Sequence, residues 1–166
     1  MDIRELSLDY SVRNLDSDDI NLIYNLSIDN PIFYEYCPPY VTRQSIQNDM
    51  KALPPNKKED EKLYIGYFNG DELVAVLDLI INFPDEKTAY IGLFMVNKLF
   101  QGNGVGTKII EELSLFLKKN GFNNISLAFA KGNPQSEAFW LKNEFFKTGH
   151  ENHNEGYIAV IMEKVL

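Results

Sequence analysis

The chain has 166 residues, enough for one domain with a substantial core, and its 45% apolar and 24% charged content excludes wholesale disorder. A formal net charge of −8 argues against a nucleic-acid partner, whose footprint is basic, and favours solubility and the steering of cationic partners. The lone Cys37 cannot form an internal disulfide, MDIRELSLDY has no signal-peptide pattern, and LVAVLDLII is broken by Asp78 and too short to span a bilayer, so a cytoplasmic protein with no membrane segment is expected.

In chain order, YSVRNL (10–15) predicts a short first strand. LDSDDINLIYNLSI then offers N-capping Asp and Ser and places Ile20, Ile23 and Leu26 on one helical face, with Pro31 as its stop. FYEYCPPYVT (33–42) is aromatic and proline-rich and reads as irregular. Thr42 can cap a second helix with Ile46, Met50 and Leu53 inward, closed by Pro54 and Pro55. The charged PPNKKEDEK reads as a surface loop, not as a linker between domains, so residues 1–166 form one domain.

LYIGYF and LVAVLDLIINF flank an Asn-Gly turn, the strongest short-range hairpin signal, and PDEK turns the chain again into TAYIGLFMV (88–96). The period then changes. A loop with Gly102, Gly104 and Gly106 opens a helix over 105–119 with Ile109, Ile110, Leu113, Phe116 and Leu117 inward, and Gly121 stops it. NISLAFA (124–130) is a strand whose helical crossover makes it parallel to the strand ending at Val96. A short helix (134–143) and a hairpin, FFKTGH and GYIAVIMEKV, complete an α/β domain of the α+β type with a mixed, mostly antiparallel sheet of six to seven strands and about four helices.

Glycines ahead of a helix bring backbone N–H groups and a positive helix end to an anion. The spacing excludes a Walker A loop, because Gln101 stands where the first glycine belongs and Thr107-Lys108 is in the wrong order. It also excludes the dinucleotide fingerprint, which needs glycine where Thr107 sits. The pattern that fits is Gln101-Gly102-Asn103-Gly104-Val105-Gly106, followed about 27 residues later by NPQSEAFWLKNEFF. Together these resemble the GNAT superfamily of acyl-CoA-dependent N-acetyltransferases, along nearly the whole chain in element order and most strongly from about 88 to 145.

The resemblance implies that acetyl-CoA is the cofactor. Its pyrophosphate would sit on Gly102, Asn103, Gly104, Val105, Gly106 and Thr107, with Gln101 contributing a side chain. Its pantetheine arm would lie between two splayed parallel strands, against Phe94, Met95 and Val96. Asn133, Ser136, Phe139 and Trp140 fall on the second motif. Asn133 would contact the pantetheine, with a cap on the following helix as its alternative role, and Trp140 either packs beside the cofactor arm or joins the core with Phe139. The implied activity is acetyl transfer to a primary amine of a small molecule or peptide by direct attack in a ternary complex, without a metal. The alternative is a non-catalytic acyl-CoA-binding module, a sensor or partner-binding protein.

An alkylamine with a pKa of about 10.4 is neutral in only about one molecule in 2,500 at pH 7, so the chemistry needs a base. The usual residues are missing: Trp140 stands at the family's Tyr acid, and Tyr90 at its Glu base. Asp78 interrupts an apolar strand and is either a base, an amine anchor or an edge-facing structural residue. Tyr34, Glu35 and Tyr36 form either an aromatic and acidic wall for a cationic acceptor or ordinary packing under the loop. Cys37 has no basic neighbour in sequence to lower its pKa and reads as a small buried residue. HENH (150–153) lacks a third ligand and reads as a polar loop. Monomer and homodimer are both open, the latter through GYIAVIMEKV.

Overall fold

Near-continuous apolar runs in the middle of the chain, buried on both faces, build a seven-stranded sheet in the computed structural model, which describes all residues 1–166. Its strands are β1 (Ser11–Asn14), β2 (Lys62–Asn69), β3 (Glu72–Ile81), β4 (Thr88–Val96), β5 (Asn124–Ala130), β6 (Phe146–Asn154) and β7 (Tyr157–Val165). They lie in the order β1-β2-β3-β4-β5-β7-β6. Every neighbouring pair is antiparallel except β4 and β5, which are parallel because a helical crossover joins them.

Five helices cover the two faces: α1 (Ile20–Ile28), α2 (Pro31–Tyr36), α3 (Arg43–Lys51), α4 (Val105–Lys119) and α5 (Pro134–Lys142). On one face Ile65, Tyr67, Ala75, Leu77 and Leu79 meet Ile109, Ile110, Leu113, Phe116 and Leu117 of α4, with Trp140 and Phe145 beside them. Burying each of the five α4 side chains contributes about 1.5–3 kcal/mol, which ties the crossover helix firmly to the sheet. On the other face Tyr64, Phe68, Val76 and Met95 pack against Ile23 and Leu26 of α1, Tyr34 of α2 and Ile46 of α3.

The fold agrees with the sequence reading in class, strand order of appearance and the bounds of α4, and differs in three places. Pro31 does not end the helical region but opens α2 at its first position, where the missing N–H costs nothing and the fixed φ is already helical. The stretch expected to be irregular from residue 33 is therefore helical up to Tyr36, and there is a fifth helix. Leu53 lies beyond α3, whose Thr42 cap accepts from Ser45 N at 3.0 Å as expected. β7 is inserted between β5 and β6, so both of its backbone edges are used within the chain. β6 takes the outer position, and its pairing skips from Lys147 to Glu151 around a bulge at residues 148–150. No helix is long and apolar enough to cross a membrane.

Gly66 in β2 shows how tightly the second face is packed. A Cβ there would lie 2.7 Å from Phe68, 2.8 Å from Leu15 and 2.9 Å from Leu73. Gly66→Ala is therefore expected to overpack this face and cost about 1–3 kcal/mol. Thermal unfolding checks it: the midpoint should fall by several degrees, at about 2–4 °C per kcal/mol for a domain of this size.

Candidate active site

β4 and β5 pair only from Thr88–Ile91 against Asn124–Leu127 and then separate. The cause lies on the other side of β4. Asp78 of β3 faces Leu93 and Leu79 faces Ile91, so Gly92 is an unpaired bulge residue that kinks β4 at the point of departure. The gap opens into a cleft of about 550 Å³. Phe94, Met95 and Val96 line one side, Phe139 and Trp140 of α5 the other, and Asn30, Pro31, Ile32 and Phe33 lie across it. Gly102, Gly104, Val105, Gly106 and Thr107 form its end, with Gln101 and Lys98 beside them, and Asn133 and Ser136 open α5 at its rim. Asn103 belongs to the same loop but is exposed and does not line the cleft.

The three glycines have different physical reasons. Gly102 and Gly104 have φ of 85° and 77°, and a Cβ at either would meet no atom within 4 Å, so the loop's outer surface is an open cradle. Gly104 caps α4 without a side chain, and the first helical hydrogen bond is Lys108 N to Gly104 O, which leaves the N–H groups of Val105, Gly106 and Thr107 unused by the helix. Gly106 answers to packing instead: its Cβ would lie 3.1 Å from Phe139 and 3.4 Å from Val96. An open cradle of N–H groups at the positive end of a fifteen-residue helix, with Lys98 nearby, fits a pyrophosphate.

Gln101 is used internally. Its amide donates to Val96 O at 2.8 Å and to Asn30 Oδ1 at 2.7 Å, while Asn30 Nδ2 donates to Leu26 O at 2.9 Å and Val96 O at 3.2 Å. This clamp joins the end of α1 to the end of β4 across the cleft, and the sequence reading did not single out Asn30. Asn133 is a helix cap, accepting from Gln135 N at 3.1 Å and Ser136 N at 3.2 Å through Oδ1 alone. Trp140 is both core and cleft wall: it is buried, with its ring 4.9 Å from Phe139, 5.1 Å from Phe145 and 6.1 Å from Phe94.

The face of the sheet covered by α1, α2 and α3 carries a second polar group. Asp78 is buried and paired with Lys62, whose ammonium lies 2.8 Å from Oδ1 and 2.8 Å from Oδ2. Burial raises the Asp78 pKa, and Lys62 opposes the rise. Burial is also the main cause that pushes up the Tyr64 and Tyr90 hydroxyls, with the Asp78 charge adding to both. Tyr90 therefore keeps its proton at neutral pH and can donate but not accept one. Its ring stands edge-on to Phe83, with 5.5 Å between centroids.

Of the expected acceptor wall, Tyr34 is buried in the second core cluster, Glu35 is exposed and Tyr36 is half-buried. Tyr36 reaches Gly132, where a Cβ would lie 3.9 Å from its ring. The segment that follows touches the β6–β7 turn: a Cβ on Gly156 would come within 3.1 Å of Pro38, and burial pushes up the pKa of the Cys37 thiol. His150 and His153 lie exposed on β6, and no group of three or more histidine, cysteine or acidic side chains is placed to hold a metal ion.

A parallel strand pair that splays beside a glycine-opened helix defines a class of acyl-CoA-handling folds. The sequence matches the acetyltransferase (GNAT) family over residues 22–145, and the chain belongs to that family. It is accordingly an acetyltransferase, with acetyl-CoA as its cofactor. Among solved structures it is similar to an acetyltransferase from Thermus thermophilus, at 19% identity and a TM-score of 0.75, covering 96% of this chain and 98% of that one. It is also similar to a PaiA N-acetyltransferase from Thermoplasma acidophilum in complex with coenzyme A, at 18% identity and a TM-score of 0.67, covering 96% and 100%. A spermidine N-acetyltransferase from Vibrio cholerae in complex with CoA and spermine matches at 17% identity and a TM-score of 0.68, covering 96% of each chain. At such identities the likeness establishes the fold alone. No curated protein matches the sequence significantly.

The cap and any ligand role of Asn133 separate by substitution. Asn133→Ala is expected to cost about 1 kcal/mol through the lost cap. Asn133→Asp, which keeps the acceptor oxygen at the helix N-terminus, should retain the stability; urea unfolding of the two variants measures the difference.

Proposed function

We propose that the protein transfers an acetyl group from acetyl-CoA to a primary amine of a small molecule or peptide, with both substrates bound together. The observation that carries this reading is the cleft at the β4–β5 separation, ending in an open cradle at the start of α4. In this assignment the N–H groups of Gly102, Gly104, Val105, Gly106 and Thr107 hold the pyrophosphate, and Asn103 and Gln101 shape the loop. The backbone of Phe94, Met95 and Val96 runs along the pantetheine arm, with the Val96 carbonyl already held by Gln101 and Asn30, and Ser136, Phe139, Trp140 and the free amide of Asn133 face it from α5. Bound acetyl-CoA supplies an activated thioester carbonyl. A strand N–H near Met95 or Val96 is placed to stabilise negative charge on that oxygen.

The whole chain acts as one domain, since both walls of the cleft and the roof come from segments spread between Asn30 and Lys142. The acceptor reaches the cleft from the side of Tyr34, Glu35 and Tyr36. A net charge of −8 steers a cationic amine towards it and disfavours nucleic acid. Cytoplasmic residence fits the free thiol of Cys37. Trp140 favours one rival, a module that binds acyl-CoA without turnover, because an indole cannot release a proton. Release of CoA with a panel of amines decides between the two.

The cofactor assignment is tested by thermal shift. Acetyl-CoA at 100 times its dissociation constant should stabilise the protein by about 2.7 kcal/mol, several degrees in the midpoint. ATP and NAD should produce no shift. Gly104→Leu should abolish the acetyl-CoA shift while the protein still folds, because its added Cβ meets nothing and only the left-handed φ costs about 1–2 kcal/mol. A full shift in this variant would remove the loop from the cofactor site.

A further inference from the structure

Asp78 sits one strand away from the cleft, outside its lining, and its carboxylate leans over β4 at Gly92. Gly92 allows this. A Cβ on Gly92 would stand 2.7 Å from Asp78 Oδ2, so the carboxylate occupies the space a side chain would otherwise fill above the bulge of β4. The bulge is where β4 leaves β5, and the cleft wall begins two residues on, at Phe94. On the far side Lys62 pins the carboxylate: its ammonium also donates to Ala52 O at 2.8 Å and stands 5.6 Å from the centre of the Tyr64 ring. The Lys62 ammonium lies 2.8 Å from each carboxylate oxygen, and Oδ1 is fully buried beneath it. The hydroxyl of Tyr64, directly across the strand pair from Asp78, is buried without a partner. A buried ion pair and an unpartnered hydroxyl thus stand together on this face, an arrangement a purely structural core rarely keeps.

We infer that Asp78 accepts the proton of the acceptor ammonium, with Lys62 and Gly92 as the positioning residues that hold its carboxylate over β4. The inference rests on the acetyl-transfer reading above. An N–H bond of the ammonium breaks and leaves its electron pair on nitrogen, and an O–H bond forms at Asp78 Oδ2, the oxygen that stands over Gly92. The neutral amine would then attack the thioester carbon: an N–C bond forms, the C–S bond breaks, and the CoA thiolate takes up the second amine proton, while Asp78 returns its proton to solvent before the next cycle. The groups facing Asp78 are Lys62 and Tyr64 from β2, Tyr90 from β4 and Asp49 from α3, with Tyr34 of α2 beside Tyr64. Lys62 is the one cation among them. Both tyrosines keep their protons, and burial followed by the Asp78 charge pushes Asp49 up as well. Lys62 opposes the rise at both carboxylates, and Asp78 is the one it contacts directly.

The sign of the effect gives the test. Burial raises the Asp78 pKa and Lys62 lowers it, so Lys62→Met leaves the rise unopposed. The acidic limb of the kcat/KM profile should move to higher pH in Lys62→Met and return in Lys62→Arg, measured with one diamine, one polyamine and one short peptide with a free α-amino group. The carboxyl titration of Asp78, followed by NMR with 13C-labelled aspartate, should move in the same direction. Gly92→Ala should displace the carboxylate and lower kcat by at least tenfold, since small misplacements of a reacting group cost about that much or more. Asp78→Asn should lose about a hundredfold or more in kcat.

An unmoved limb in Lys62→Met, with activity lowered equally at every pH, would show a structural ion pair and overturn the inference while acetyl transfer stands. Full activity in Gly92→Ala would do the same. Absence of an acetyl-CoA shift in the unmodified protein, or a shift without CoA release for any of the three amines, overturns the acetyl-transfer reading and the inference with it.

Discussion

The site depends on the failure of two parallel strands to stay paired. β4 and β5 make four residue pairs and part at Gly92, and the cleft opens beyond that point. Backbone groups that a continuous sheet would consume are left facing a cleft. A structure can keep such groups only where water or a ligand meets them, so the separation is held open rather than left to collapse. Asn30 and Gln101 hold one side by converging on the Val96 carbonyl, and Phe139 and Trp140 fill the other with a rigid aromatic wall. Gly106 completes the arrangement by letting α4 approach that wall.

The two faces of the sheet divide the labour. The α4 and α5 face is a large apolar cluster that fixes the helix N-terminus over the end of the cleft. The α1, α2 and α3 face is smaller and admits an ion pair and two tyrosine hydroxyls into its interior. Buried charge is expensive, and a well-packed apolar pair would stabilise this face as well or better. The bulge at Gly92 links the faces, because one residue both parts the strands and makes room for Asp78.

Much of this was legible in the amino-acid order. α4 begins and ends at the residues the 3.6 periodicity and the glycines mark, and its inward residues are all buried. The parallel strand pair follows from the strand, helix, strand order, and the loop residues from the glycine spacing. What stayed hidden depends on register. Lys62 ends the charged run NKKEDEK and looks like a solvated residue; it is the first residue of β2, and the alternation of the strand turns it inward beneath α3. Gly92 is one glycine in an apolar strand until the pairing of β3 shows it to be a bulge. Asn30 and Gln101 are 71 positions apart, and no local pattern joins them. Pro31 carries two meanings in a sequence, because proline ends one helix and begins another with equal ease.

The outer strand β6 has a consequence for the protein in concentrated solution. Its pairing is interrupted at residues 148–150, Gly149 has a φ of 89°, and Lys147 and Glu151 on either side are engaged by Glu137 and Lys131. The opposite edge, β1, is only four residues long. A neighbouring copy trying to extend the sheet finds a short template at one end and a kinked, charged one at the other. Apolar β-rich segments such as LVAVLDLII are fibril-prone when exposed, and here they are sealed in the middle of a sheet whose margins disfavour growth.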